Sequence, residues 1–337
     1  MNWLCRMPKL PAVMNAAVII PRSGNGHKNA PSPELSDTMG SMIPAGLSRR
    51  GLFVWLLISC LSAPLLGQGD QIVYEVRSQY QLITVRDTDN GYRQLIFEGR
   101  FDGTDAIQSE MNLSNHEELT LSYSRHIMAA LPMVARLQRI LIVGLGGACM
   151  QRFLHKLLPG AIIETAELDP EIRSVAANYF FFKEDSRQIV HLGDGRKFIE
   201  NSQDKYDIIF LDAFSATSIP YALTTQEFLT AVRNHLADGG LACANLWDAE
   251  ADYPDMLKTY ASVFPEMHVV KSASSGNSIL LVQPGKVGLT VKTWMEKADA
   301  FEKIHPTGLN LPQLINRGAA ETISISPTAK VLLDKAK

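Results

Sequence analysis

The sequence has few cysteines, no histidine pair at ligand spacing and no large excess of either charge. Its four cysteines, Cys5, Cys60, Cys149 and Cys243, show no paired spacing, which argues against a disulfide framework and a zinc site. None of the eight histidines stands at a ligand spacing from another, so we predict no metal. The net charge is 32 − 35 = −3, so no nucleic-acid surface is expected.

A long apolar run is also missing. Residues 51 to 66 are apolar, but the run is short for a membrane-spanning helix and contains Pro64. It follows Arg49 and Arg50, as the core of a secretory signal does, and Leu57-Ile58-Ser59-Cys60 within it is similar to the lipid-attachment site of bacterial lipoproteins. We therefore expect an exported or membrane-anchored protein. The alternative is a cytoplasmic protein whose start lies further along the chain.

The most informative stretch runs from residue 139 to residue 169. A short β-branched run ends at Gly144, and Gly146 follows, so that backbone N–H groups can approach a ligand at the start of a helix. The third glycine of a dinucleotide-binding pattern is replaced by Cys149. Glu167, at the end of the next predicted strand, stands where an acidic residue binds a ribose. This combination favours a nucleoside of the S-adenosylmethionine type.

Strand-like and helix-like segments alternate from residue 139 onward, which predicts an α/β fold with a parallel sheet covered on both faces. A closing antiparallel hairpin makes it the methyltransferase type of Rossmann-like doubly wound sheet. The predicted strands are 140–143, 162–168, 188–192, 206–211, 241–246, 267–271 and 278–282, and the predicted helices are 149–158, 170–179, 195–201, 225–236 and 253–263.

Residues 71 to 99 alternate or are rich in β-formers, which predicts a small N-terminal antiparallel β domain. A helix is expected over residues 116 to 133. The predicted organisation is an extension with a signal- or anchor-like segment (1–68), the β domain and linking helix (69–135), the nucleoside-binding domain (136–285), and C-terminal helices with a loose tail (286–337).

Five short motifs, in this order, resemble those of the spermidine/spermine synthase (polyamine aminopropyltransferase) family. The likeness covers roughly residues 71 to 285. It implies transfer of an aminopropyl group from decarboxylated S-adenosylmethionine to a small amine acceptor, and we expect a homodimer. The motifs are Ser78-Gln79-Tyr80-Gln81, Ile107-Gln108, Glu167-Leu168-Asp169, Gly193-Asp194-Gly195 and the loop from Asp212 to Ala216.

The resemblance assigns a role to each matching residue. Asp212 would be the general base, because an ammonium has no lone pair and must lose a proton before it can attack carbon. The residues expected to bind the nucleoside cofactor are Gln81, Gly144, Gly146, Glu167, Asp194 and Gly195, and those expected to bind the acceptor are Gln108, Tyr123 and Ser215.

Two positions depart from the family pattern. Gly147 stands where the family usually has an aspartate that grips the aminopropyl amine, and Ser215 replaces a second acidic residue that helps to bind a diamine. Two alternatives therefore stay open. One is an enzyme that uses S-adenosylmethionine itself, such as a methyltransferase, and the other is a non-catalytic exported module that binds a nucleoside. Simpler roles also exist, since Asp194 could cap a helix and Tyr123 could be a core residue.

Overall fold

The computed structural model describes residues 69–98, 106–215, 218–272, 276–319 and 323–335. All of them belong to one compact unit. The signal-like segment and Cys60 lie outside the described residues. Within the described ranges, no helix combines the length and the apolar character that crossing a membrane requires.

The N-terminal sheet is antiparallel and has four strands in the order β1-β2-β3-β4. Its buried face, which includes Val85, Leu95 and Met111, packs against a helix of the second sheet through Ile172 and Val175. The small β domain is therefore joined to the larger sheet by apolar contacts. Its strands are β1 (Gln71–Arg77), β2 (Leu82–Asp87), β3 (Tyr92–Phe97) and β4 (Ala106–Asn112).

The segment that links the two sheets is not one helix. A short α-helix, α1, spans Ser122–His126 and continues as a 3₁₀ helix over Ile127–Met133, so the prediction of a continuous helix over residues 116 to 133 is wrong. Residues before α1 are held on β4, where the Thr120 hydroxyl donates to a backbone carbonyl at 2.7 Å. The 3₁₀ helix contains Pro132, which cannot donate a backbone hydrogen bond, and every one of its residues is buried.

The second sheet has seven strands in the order β10-β11-β9-β8-β5-β6-β7. Strands β5 to β9 run parallel, while β11 pairs antiparallel with β9 and with β10. This is the predicted methyltransferase-type sheet with its closing hairpin, so the predicted fold class is confirmed. The strands are β5 (Arg139–Val143), β6 (Ile162–Glu167), β7 (Gln188–Leu192), β8 (Tyr206–Leu211), β9 (Leu236–Trp247), β10 (Glu266–Lys271) and β11 (Asn277–Gln283).

Helices cover both faces of the sheet. In β5, Ile140 and Ile142 belong to one apolar core, and Leu141 and Val143 belong to the other, as expected for a strand buried on both sides. The helices are α2 (Cys149–Leu157), α3 (Pro170–Tyr179), α4 (Gly195–Asn201), α5 (Gln226–Asn234), α6 (Tyr253–Val263), α7 (Val291–Ile304) and α8 (Leu311–Gly318), with a second 3₁₀ turn at Tyr221–Leu223.

The C-terminal tail was expected to be loose, and this expectation is wrong for its described part. The backbone N–H of Gln226 donates to the Leu332 carbonyl at 2.8 Å, and the Tyr221 hydroxyl donates to the Leu333 carbonyl at the same distance. Asp334 accepts two hydrogen bonds from Arg196, at 2.7 and 2.6 Å. Residues 330–335, which we call the C-terminal strap, are therefore fixed to α4 and to the start of α5.

Candidate active site

The glycine loop after β5 is in contact with both sheets. Gly144 has φ +103°, and a Cβ there would lie 2.4 Å from the backbone oxygen of Asp212. Gly146 has φ +52°, and its Cβ would lie 2.7 Å from Oγ of Ser109 on β4. Both positions require glycine, because positive φ and close approach each disfavour a side chain. The loop therefore lies against the end of β8 and against the small sheet.

Glu167 connects the end of β6 to this loop. Its Oε2 accepts a hydrogen bond from the Leu145 N–H at 2.9 Å, and its Oε1 accepts one from the Asp169 N–H at 2.8 Å. The side chain is only 8% exposed. Burial raises the pKa of Glu167 to about 7, although the backbone N–H groups of Asp169 and Leu145 oppose the rise. The carboxylate therefore lies directly beside the glycine loop, where a ligand bound to that loop would meet it.

Asp212 follows β8 at the same edge of the sheet. Its backbone N–H donates to the Val143 carbonyl at 3.0 Å, which fixes it beside the glycine loop. Its Oδ1 accepts a hydrogen bond from Nδ2 of Asn245 at 2.9 Å. Burial raises the pKa of Asp212 to about 7, while hydrogen bonds from Asn245 and Tyr123 partly offset this. A carboxylate that titrates near neutral pH is suited to taking a proton from an amine.

Tyr123 and Gln108 complete this group. The Tyr123 hydroxyl interacts with the Asp212 carboxylate and lies 3.3 Å from the Gln108 carbonyl oxygen. Burial raises the pKa of Tyr123 well above its usual value, so the hydroxyl stays protonated and can donate. The structure thus brings together Asp212 and Tyr123, which the sequence predicted separately. Gln108 joins them only through its backbone carbonyl, because its side-chain amide donates to the Ala106 carbonyl at 3.2 Å, and its predicted contact with the acceptor stays a prediction.

Asp194 and Gly195 lie at the start of α4. The Asp194 carboxylate accepts a hydrogen bond from the Lys197 N–H at 3.0 Å, so it caps the helix. A Cβ on Gly195 would lie 2.6 Å from Cγ1 of Val143, so glycine allows the helix to begin close to the end of β5. Both contacts are structural. The contact that each residue was predicted to make with the nucleoside stays a prediction.

Gln81 and Ser215 were also predicted to bind ligands. Gln81 ends the turn between β1 and β2, where its backbone N–H donates to Oγ of Ser78 at 3.2 Å. The exposed Ser215 hydroxyl donates to the Ser218 carbonyl at 2.9 Å and closes the loop after β8. Their predicted ligand contacts stay predictions.

Several residues at the site were not predicted. Ser109 Oγ accepts the Gly147 N–H at 2.8 Å and ties the glycine loop to β4. Asn245 on β9 contacts Asp212, and Nδ2 of Asn277 on β11 donates to Oδ1 of Asn245 at 2.9 Å. The only sequence signal was the position of Ser109 immediately after the Ile107-Gln108 motif.

A small cavity, whose lining includes both chain neighbours of Asp212, opens at this edge of the sheet. Its walls come from the carboxyl ends of β5, β8 and β9 and from the loop before α5, which is the edge where such sheets bind ligands. The lining is mostly apolar and consists of Val143, Leu211, Ala213, Ile219, Leu223, Thr224, Ala244, Asn245, Leu246 and Tyr260.

Comparison with known proteins identifies the family of the chain. Residues 121–274 match the family model of the spermine/spermidine synthase domain. The polyamine aminopropyltransferase of Vibrio vulnificus is 34% identical over 230 residues, which cover 67% of this chain and 76% of the relative. The chain belongs to the spermine/spermidine synthase family. The family predicted from the five motifs is therefore confirmed.

Solved structures agree on the fold. A probable spermidine synthase from Corynebacterium glutamicum superimposes with a TM-score of 0.59 at 18% identity, covering 79% of this chain and 98% of that one. Human methyltransferase-like protein 13, solved in complex with SAH, superimposes with a TM-score of 0.51 at 26% identity over 55% of this chain and 93% of that one. This family fold is thus shared between synthases and a methyltransferase.

Proposed function

We propose that this protein transfers an aminopropyl group from decarboxylated S-adenosylmethionine to an amine acceptor, with Asp212 as the general base. One observation carries the proposal. In a member of this family, Asp212 follows β8 with its backbone packed against Gly144 of the glycine loop, and its carboxylate, with a pKa of about 7, lies beside the Tyr123 hydroxyl. Family membership supplies the reaction class, and this geometry supplies the base.

The proposed step balances as a nucleophilic substitution. Asp212 takes a proton from the acceptor ammonium, and the freed nitrogen lone pair forms a bond to the propyl carbon that adjoins the sulfonium. The carbon–sulfur bond breaks, its electron pair returns to sulfur, and neutral methylthioadenosine leaves. The proton remains on Asp212 until solvent removes it.

Glu167 and the glycine loop would hold the nucleoside. Each Glu167 oxygen accepts one backbone N–H, and a carboxylate has about four lone-pair sites. Acceptor capacity therefore remains for the hydroxyl groups of a ribose. The loop would pass beneath the sugar because neither Gly144 nor Gly146 has a side chain.

Gly147 favours a second candidate, methyl transfer from S-adenosylmethionine itself. A Cβ at Gly147 would lie 2.8 Å from Cδ1 of Phe180 and 2.9 Å from Cβ of Ser109, and both residues are buried. The family's aspartate therefore has no room here, and we infer that this loop does not select the decarboxylated cofactor through a carboxylate. The likeness to human methyltransferase-like protein 13 supports the same alternative.

The leaving nucleoside separates the two reactions. The protein should be incubated with decarboxylated S-adenosylmethionine or with S-adenosylmethionine, each with putrescine, cadaverine or spermidine, and the nucleoside product identified by mass spectrometry. Methylthioadenosine together with an aminopropylated amine supports the proposal. S-adenosylhomocysteine with a methylated amine supports the methyltransferase. If neither forms and calorimetry detects no nucleoside binding, both enzyme functions are wrong.

A further inference from the structure

Three polar side chains form a hydrogen-bonded row that ends on the predicted base. Nδ2 of Asn277 donates to Oδ1 of Asn245 at 2.9 Å, and Nδ2 of Asn245 donates to Oδ1 of Asp212 at 2.9 Å. Asn245 is 3% exposed. In the ladder between β9 and β11, Asn277 pairs with Trp247 and Asn245 pairs with Ile279, so the two asparagines are diagonal neighbours on one face. The closing hairpin therefore reaches the active site.

The row has a direction, because an amide has an acceptor end and a donor end. Asn277 donates to Asn245, so the oxygen of Asn245 faces Asn277 and its NH₂ group faces Asp212. If the Asn245 amide rotated by 180°, its Oδ1 would face Oδ1 of Asp212, and two acceptors would meet without a proton between them. The donor from Asn277 thus decides which end of Asn245 meets Asp212.

The other titratable groups that interact with Asp212 are neutral at neutral pH. Tyr123 faces it from α1 and Cys243 from β9, and burial raises the pKa of both well above the usual values. Tyr123 supplies one hydrogen bond, and Cys243 interacts electrostatically. Neither of them is a cation that would stabilise the carboxylate. The Asn245 amide is therefore a main polar contributor to the ionised form of Asp212.

We propose that Asn277 is a positioning residue that orients the Asn245 amide, so that Asn245 holds the Asp212 carboxylate in one rotamer and in its ionised form. Asn277 acts through Asn245 and need not contact the substrate. This inference rests on the proposed role of Asp212 only where turnover is measured. The effect on the Asp212 carboxyl group is expected whether or not the protein is an enzyme.

The direct test is a ¹³C NMR titration of the aspartate carboxyl carbons, with the Asp212 resonance assigned by its loss in Asp212→Asn. Loss of the donor destabilises the charged form, so the Asp212 midpoint should move to higher pH. We expect a roughly tenfold weaker acid in Asn245→Ala and a smaller shift, roughly threefold, in Asn277→Ala. The double variant should not exceed Asn245→Ala, because both substitutions remove one interaction.

The isosteric variant Asn277→Asp guards against a loss of folding. Its carboxylate must accept a hydrogen bond, so it should turn the Asn245 amide and give the largest shift. Introducing Asn277→Asp into the Asn245→Ala variant measures the part of the Asp212 midpoint shift that the added charge alone causes. Asn201→Ala is the matched control, because Asn201 donates to a backbone carbonyl on the exposed surface of α4. The Asp212 midpoint in this variant should equal that of the wild type.

An unchanged Asp212 midpoint in folded Asn277→Ala and Asn277→Asp would overturn the proposal, as would additive shifts in the Asn277→Ala, Asn245→Ala double variant. In an active protein, the acid limb of the kcat profile should move to higher pH together with the NMR midpoint. Shifted midpoints without turnover in any variant would support the network and contradict the proposed function. A merely structural role for Asn277 would lower Tm without moving the midpoint.

Discussion

Asp212 and Glu167 are two carboxylates that burial brings to the same pKa of about 7, yet their partners differ. Glu167 is held by two backbone N–H groups, which cannot move without the loop. Asp212 is held by the side chains of Asn245 and Tyr123. The environments assign different roles. We therefore expect Glu167 to form part of a rigid nucleoside cradle and Asp212 to exchange a proton with a bound amine.

The raised pKa of Asp212 predicts a pH-dependent stability. The folded protein holds this proton up to about pH 7, whereas an unfolded aspartate releases it near its ordinary pKa of 3.8. The contribution of the protonated Asp212 carboxyl group to the free energy of unfolding is therefore complete below about pH 4. It is lost as the pH rises through about 7. Asp212→Asn should lose less unfolding free energy than the wild type over this window, as measured by urea denaturation.

The control for this comparison is Asp299→Asn, which changes an exposed carboxylate paired with Lys303. It should follow the wild type at every pH. If Asp212→Asn also follows the wild type, the Asp212 carboxyl is not desolvated in the folded protein, and the explanation of its pKa is wrong.

Replacing Glu167 tests the nucleoside cradle. Glu167→Ala removes both acceptors from the glycine loop and from any bound ribose, so we expect binding to weaken by about 1.5–3 kcal/mol, the range for hydrogen bonds to a charged group. Glu167→Gln keeps the shape and one acceptor and should lose less. Calorimetry with methylthioadenosine measures both. Affinity within twofold of wild type in Glu167→Ala would remove the ribose assignment.

At the scale of single elements, local sequence predicted the strands and helices around the site well. β5 ends at a glycine and α2 begins just beyond it, because this turn uses positive φ at Gly144 and Gly146. β9 spans Leu236–Trp247 and is longer than the predicted strand 241–246. The prediction missed its first residues because the pair Gly239-Gly240 is typical of a turn. Helical periodicity over 116–133 was misleading because buried 3₁₀ structure also places apolar residues close together.

Contacts between distant elements could not be predicted. Asn245 and Asn277 lie on strands whose register is set only when the hairpin pairs with β9. Ser109 meets the glycine loop only because the small sheet packs on α3. The motifs identified Asp212 and Tyr123 separately, whereas the side chains that fix Asp212 come from tertiary structure.

Releasing the C-terminal strap should affect both stability and ligand binding. Asp334 accepts hydrogen bonds from Arg196 on α4 and from Thr225, which caps α5, and Leu223 beside that cap lines the cavity. Asp334→Ala should lower the unfolding free energy by roughly 1 kcal/mol, since the pair is partly exposed and screened by solvent. It should also weaken nucleoside binding severalfold in calorimetry, because Arg196 directly follows Gly195, which is expected to bind the nucleoside.

Asp299→Ala removes a surface ion pair on α7, far along the chain from the cavity lining, and serves as the control. It should leave nucleoside affinity unchanged. Equal affinities for wild type and Asp334→Ala would show that the strap stabilises the fold without shaping the cavity.

At the scale of the whole molecule, composition predicts that the folded domain begins after residue 68. A chain that begins at Gln68 should therefore unfold at the same temperature as the full chain in a thermal denaturation measured by circular dichroism. A drop of several degrees would show that the N-terminal segment belongs to the folded unit. Export or membrane anchoring through this segment, and the homodimer, stay predictions from the sequence.

The central claim is that Asp212 removes the acceptor proton during aminopropyl transfer. The most direct measurement is the rate of methylthioadenosine release from decarboxylated S-adenosylmethionine by the wild type and by Asp212→Asn, with methylthioadenosine affinity measured on both. Asparagine keeps the shape but cannot take the proton, so the rate should fall ~10²–10⁴-fold while the affinity barely changes. An unchanged rate in Asp212→Asn would contradict the claim.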